Sequence, residues 1–241
     1  MRVLRLDGVS LAFGGGDGVH DLTLSVAAGE VVALVGLNGA GKSTLMRLAL
    51  GMLRPTHGAV HLFGVPLAAT PARSWSRVGA LIEVPLAYPE LTTRENLHVA
   101  ALLRHADPRC VERSLGEWQL GPVADRRFRR LSLGTRQRVG LAAALQHEPD
   151  LVILDEPSNA LDPASVILLR EQLARRAGAG GAVVVSSHHL DEVARTADRT
   201  VLMNRGRLIG ELDTAGQDLE REFFARIHDD DRRAGVTAAA R

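Results

Sequence analysis

The chain has 241 residues, 46% of them hydrophobic, enough for one large core or a core with a small lobe. Its net charge of +1, with basic residues spread among acidic ones, excludes the long basic stripe of a dedicated nucleic-acid binder. The single cysteine, Cys110, excludes an intrachain disulfide and a site built on several cysteines, and no run approaches the roughly 18 consecutive apolar residues of a membrane-spanning helix. The N-terminal residues carry Asp7 and lack a secretory apolar core, so a cytoplasmic protein is expected, one that meets membranes only through a partner.

In chain order, short runs at Val3 to Leu6, Val19 to Val26 and Ala59 to Phe63 alternate apolar and polar residues, as in an antiparallel sheet with one wet face. Between the second and third lies Glu30 to Val35, which reads as a buried strand; a glycine-rich turn follows, and then helical spacing over Ser43 to Met52. Helical periodicity over Thr93 to Arg104, Arg109 to Leu120 and Thr135 to His147 predicts an inserted helical lobe at about 84–145. Within it Arg126, Arg127, Arg129 and Arg130 form a basic cluster, read as a solvated loop face in preference to a phosphate patch. Leu151 to Leu154 and Ala182 to Val185 are continuous apolar runs, each leading through a polar turn into a helical segment, the pattern of buried parallel strands. Glycines around Gly178 to Gly181 stop a helix ahead of the second run. The pattern predicts a single α/β domain over residues 1–228, with a mixed sheet, an N-terminal antiparallel β subdomain and a disordered tail at 229–241.

Of the 29 basic side chains, one is lysine and the rest are arginine. That lysine, Lys42, lies in the segment Gly36 to Thr44, which matches the P-loop pattern G-x-x-x-x-G-K-[ST] between a strand and a helix. An ammonium is a compact charge that backbone amides can encircle beside a phosphate, whereas a guanidinium is a wide planar fork. Gly36, Asn38, Gly39, Ala40, Gly41, Lys42, Ser43 and Thr44 are therefore expected to bind the phosphates of a nucleotide at the positive end of a helix dipole. Lys42 would reach the β- and γ-phosphates, and the Ser43 hydroxyl would ligate Mg²⁺. A second constellation closes the apolar run at 151–154: Asp155 and Glu156 sit at the C-terminal lip of a parallel strand, where ligands of doubly wound sheets bind. Asp155 suits a metal held through water, and Glu156 suits orientation and deprotonation of an attacking water.

Four motifs in order, the P-loop, LSLGTRQR at 131–138, LVILDEPSNALDP at 151–163 and VSSHHLDE at 185–192, resemble those of ABC-type ATP-binding subunits, and the likeness spans about Val3 to Arg207. The resemblance implies a P-loop NTPase core, ATP and Mg²⁺ as ligands, and a homodimer that closes around two ATP molecules. It further implies that Ser132 and Gly134 cap the γ-phosphate held by the opposite subunit and that Asp162 links the two sites. His188, preferred to His189, would touch the γ-phosphate, and Phe13 would stack on adenine.

The chain departs from that family's pattern at several positions. Glu83 stands where glutamine is usual as a metal ligand; Leu133 and Thr135 replace a glycine and a glutamine of the signature segment. These departures, with PLAYPELTTRENL after Glu83, are similar to exporters of the bacitracin-resistance and lantibiotic self-protection type, which pair a separate ATPase with an ABC-2-type integral membrane permease. The expected function is thus a peripheral ATPase subunit on the inner face of the cell membrane, powering export of a drug, peptide antibiotic or similar amphipathic compound, with no nucleic-acid partner. The rival is a single-cassette ATPase of the iron-sulfur-assembly type, which co-purifies with a soluble scaffold. A P-loop GTPase is excluded, because its guanine-reading N-K-x-D needs a second lysine.

Overall fold

A computed structural model describes residues 1–14, 18–188, 190, 196–213 and 218–235. Two sheets stack on each other. The smaller has the order β2-β1-β4-β5, built from β1 (Arg2–Ala12), β2 (Gly18–Ala27), β4 (His57–Leu62) and β5 (Val65–Pro66), with antiparallel pairs throughout. The larger has the order β10-β9-β3-β8-β7-β6, built from β3 (Val31–Val35), β6 (Val78–Leu81), β7 (Leu151–Leu154), β8 (Ala182–Ser187), β9 (Arg199–Asn204) and β10 (Arg207–Leu212). Its pairs are parallel except β9 with β10, so the architecture is the mixed α/β sheet with an antiparallel subdomain that the sequence predicts.

The helices among the described residues include α1 (Lys42–Ala49), α2 (Thr93–Leu103), α3 (Arg109–Glu117), α4 (Leu133–Leu145), α5 (Pro163–Gly178) and α6 (Leu219–Arg233). Alternation along β3 explains why the core splits in two. Val31, Ala33 and Val35 face one cluster, which holds Trp118, Leu141 and Leu169 of the helical layer. Val32 and Leu34 face the other, which holds α1 and the antiparallel strands through Leu45, Leu6 and Leu24. Every residue of β3, β7 and β8 is buried, and apart from Ser186 and Ser187 at the end of β8 all are apolar, so these strands form the floor from which the loops at their C-terminal ends project.

The structure corrects the sequence reading at several edges. β1 extends to Ala12, well beyond Leu6, and α1 stops at Ala49, three residues short of Met52. β6 was not foreseen: it is only four residues long and contains Gly79, where a Cβ would stand 2.0 Å from the Ala144 carbonyl oxygen of α4. The tail expected to be disordered from residue 229 is helical as far as Arg233, because α6 buries Phe223 and Ile227 while Asp230 and Asp231 accept hydrogen bonds from the Asn204 amide at 2.9 and 3.0 Å. Residues 236–241 of that tail lie outside the described residues.

His147, just past α4, joins the helical layer to the sheet: its Nε2 lies 3.2 Å from the Val78 carbonyl oxygen, which can only accept, so Nε2–H donates there. Burial, reinforced by the Arg104 guanidinium, pushes its pKa down to about 4. The folded ring thus stays neutral while the unfolded one takes up a proton below about 6.5, and the stability this contributes is lost as pH falls from about 6.5 to about 4. Denaturant unfolding of His147→Gln at pH 7, 5.5 and 4.5 should show a shallower acid loss than the parent, the difference being at most ~1.4 kcal/mol per pH unit. Parallel pH profiles would contradict it.

Candidate active site

β3 ends at Val35, and the chain must turn at once beneath β9: a Cβ on Gly36 would stand 2.2 Å from the Met203 carbonyl oxygen. Gly39 and Gly41 have φ of 81° and 103°, a region that β-carbons disfavour, and Gly41 caps the N-terminus of α1. The loop is braced from the β9–β10 turn by a hydrogen bond from Gly206 N–H to the Ala40 carbonyl at 2.9 Å. The resulting curl turns the unpaired amides of the first turn of α1 toward a common point, as a phosphate requires.

Lys42 opens α1 and is 7% exposed. Its Nζ donates to the Gly36 carbonyl at 2.7 Å and the Leu37 carbonyl at 3.4 Å, and lies 3.6 Å from Glu156 Oε1. Opposite, at the end of β7, the Ser186 hydroxyl on β8 joins the two carboxylate residues: it donates to Asp155 Oδ1 at 2.6 Å and accepts from the Glu156 amide at 2.7 Å. Glu156 has a φ of 46°, a left-handed conformation that costs a non-glycine residue about 1–2 kcal/mol. That turn aims its carboxylate across to Lys42 on one side and His188 on the other, where Nδ1 lies 2.7 Å from Oε2. An ionised carboxylate only accepts, so Nδ1 carries the proton of that contact.

A cleft of about 240 Å³ lies over this arrangement, lined by Asn38, Gly39, Ala40, Gly41, Lys42, Ser43, Thr44, Asp155 and Glu156. An ammonium, a hydroxyl, loop amides and two carboxylates in one cleft form a donor set that suits a phosphate chain with a hard divalent cation.

The remaining expected site residues do not line this cleft. Phe13 follows β1 with 45% of its surface exposed. Glu83, two residues beyond β6, has a φ of 63° and forms an ion pair with Arg47 of α1. Ser132 is the N-cap of α4, accepting from the Thr135 amide at 3.3 Å. Gly134 fits because a Cβ there would stand 2.5 Å from the Ala160 carbonyl oxygen, so the signature segment and the loop after β7 touch within one chain. Asp162 caps α5 through the Ser165 amide at 2.7 Å, and that bond holds its carboxyl below the ordinary value. His189 lies outside the described residues.

Sequence reasoning missed Ser186 and Gln137. Gln137 is buried on α4 and donates to the Pro157 carbonyl at 3.1 Å, tying α4 to the loop after β7. A serine beside Asp155 was foreseeable only from strand register, since Leu154 pairs with Val185. The arginine cluster divides: Arg127 and Arg129 each lie 3.3 Å from Glu90, which accords with the loop-face reading, while Arg126 and Arg130 are exposed.

Residues 19–159 match the family model described as ABC transporter. The chain is 37% identical over 212 residues to the bacitracin transport ATP-binding protein BcrA of Enterococcus faecalis, covering 87% of this chain and 69% of that protein. It is 32% identical over 227 residues to the lantibiotic transport ATP-binding protein SrtF of Streptococcus pyogenes, covering 92% and 96% respectively. A solved ATP-binding subunit of an ABC transporter superposes with a TM-score of 0.81 at 30% identity, covering 98% of this chain and 95% of that one. With the phosphate-binding loop and the paired carboxylates joined in one cleft, these likenesses show that the chain belongs to the ABC transporter family, as an ATP-binding subunit that hydrolyses ATP.

Proposed function

We propose that this ATPase drives export of a drug, peptide antibiotic or similar amphipathic compound through an ABC-2-type permease, working as a homodimer at the cytoplasmic face of the membrane. The relatives named above are transport subunits, which favours this reading over iron-sulfur assembly. No helix among the described residues is long and apolar enough to cross a membrane, which suits a peripheral role. The apolar run between β6 and α2 supplies a docking face: Val84, Leu86 and Tyr88 are 64%, 94% and 58% exposed. Asn96 of α2 holds that loop by bonding both the Tyr88 amide and the Tyr88 carbonyl, so a push on the loop moves the helical lobe with it.

The observation that carries the chemistry is Glu156 bridging Lys42 and His188 above the P-loop. On ATP binding, the Lys42 ammonium exchanges the Gly36 carbonyl for phosphoryl oxygens, a stronger charge-assisted contact. The Glu156 carboxylate, freed from that ammonium, orients a water for in-line attack and takes its proton. His188 holds the second Glu156 oxygen and so fixes the direction from which the first one acts. Ser43 and Asp155, with Glu83 after release from Arg47, would hold Mg²⁺, which would neutralise charge on the phosphate oxygens. In the dimer, Phe13 stacks on adenine, Asp162 spans the interface, and Ser132 with Gly134 meets the γ-phosphate of the facing subunit. ADP lacks that group, so hydrolysis removes the contacts that join the two copies.

Glu156→Gln keeps shape and removes the base. Phosphate release should fall by about 100-fold or more, and saturating ATP should trap a dimer visible by light scattering. A variant that stays monomeric overturns the sandwich. Glu83 adds a charged oxygen where glutamine would offer a neutral one, so ATP affinity should depend more steeply on Mg²⁺ in the parent than in Glu83→Gln. Superimposable Mg²⁺ titrations of the two proteins would remove Glu83 from the metal site.

A further inference from the structure

The Ser132 hydroxyl has one proton and two lone pairs, and the described contacts of its oxygen come from one residue. The Thr135 amide donates to Ser132 Oγ at 3.3 Å, and Thr135 Oγ1 lies 2.8 Å from the same atom. Two directions are open to the hydroxyl pair. If Ser132 donates to Thr135, an oxygen lone pair faces the approaching nucleotide, and two electron-rich atoms meet. If Thr135 donates to Ser132, both lone pairs are filled and the Ser132 proton is left to point outward.

Only the second direction suits a phosphoryl oxygen, which accepts and cannot donate. The chain Thr135 O–H to Ser132 O–H to phosphate is also cooperative, since each bond polarises the next. The cap lies close against the loop after β7, since a Cβ on Gly134 between these residues would stand 2.5 Å from the Ala160 carbonyl oxygen. We infer that Thr135 is a positioning residue for recognition of ATP across the dimer: its hydroxyl fixes the rotor of Ser132 so that the serine donates to the terminal phosphate of the facing subunit's nucleotide. This rests on the sandwich reading above, and it gives the threonine that replaces the family's usual glutamine a role of its own.

The test uses the Glu156→Gln background, in which hydrolysis does not dissipate the dimer. Thr135→Val keeps the amide that caps α4 and removes only the hydroxyl; it should raise the ATP concentration for half-maximal dimerisation by about fivefold, the scale of one lost bond in a charge-assisted chain. Thr135→Ser should restore that midpoint to within about twofold. ADP affinity of the monomer, to which Ser132 and Thr135 of the same chain contribute no contact, should be the same in all three proteins, a result that general damage to α4 would not give. A valine variant with the parent midpoint, or a serine variant that behaves like valine, overturns the inference. Failure of Glu156→Gln itself to dimerise overturns the sandwich reading, and the inference with it.

Discussion

A single buried ammonium organises this molecule. Lys42 Nζ is held by the Gly36 carbonyl at 2.7 Å and faces Glu156 at 3.6 Å, so one charge joins the loop after β3 to the loop after β7. Burying such a charge is tolerable only with partners on hand, and these are partners that a phosphate displaces. In the mechanism we propose, the nucleotide replaces existing contacts instead of filling an idle hole, and binding is coupled to release of the Glu156 carboxylate.

Around this contact the fold supplies stiffness where geometry matters and adjustable ion pairs farther out. β3, β7 and β8 are wholly buried, and Ser186 on β8 fixes both Asp155 and Glu156. The P-loop is pressed from behind by β9 and the turn after it, through Met203 and Gly206, while α6 secures Asn204 at the end of the same strand. By contrast, Glu90 is paired with Arg127 and Arg129 on exposed surface, where such bridges contribute about 0–1 kcal/mol each. That contact joins the exposed loop before α2 to the segment leading into Ser132.

The buried parallel strands and the P-loop were legible in the sequence because their signals are local: an unbroken apolar run, glycines where φ must be positive, and one lysine among arginines. β6 was not, since four residues including Gly79 acquire strand geometry only from pairing with β7. The end of α6 was misjudged because an aspartate run looks solvated, whereas Asp230 and Asp231 satisfy a buried amide on β9. For the site, Lys42, Asp155 and Glu156 line one cleft, while Glu83 is engaged with Arg47. Ser186 escaped notice, and Thr135 was read only as a departure from the signature segment, because a hydroxyl's role depends on which atoms face it across the fold.

The central claim is that an ammonium, and not positive charge in general, is what this loop can encircle. Calorimetric titration of ATP into Lys42→Arg tests it most directly, because the charge is conserved while the planar fork is too wide for the space between the Gly36 carbonyl and Glu156. The account predicts that affinity falls by about tenfold or more, a loss of ~1.4 kcal/mol or more, with circular dichroism and melting temperature close to those of the parent. Binding by the arginine variant at parental affinity would contradict it.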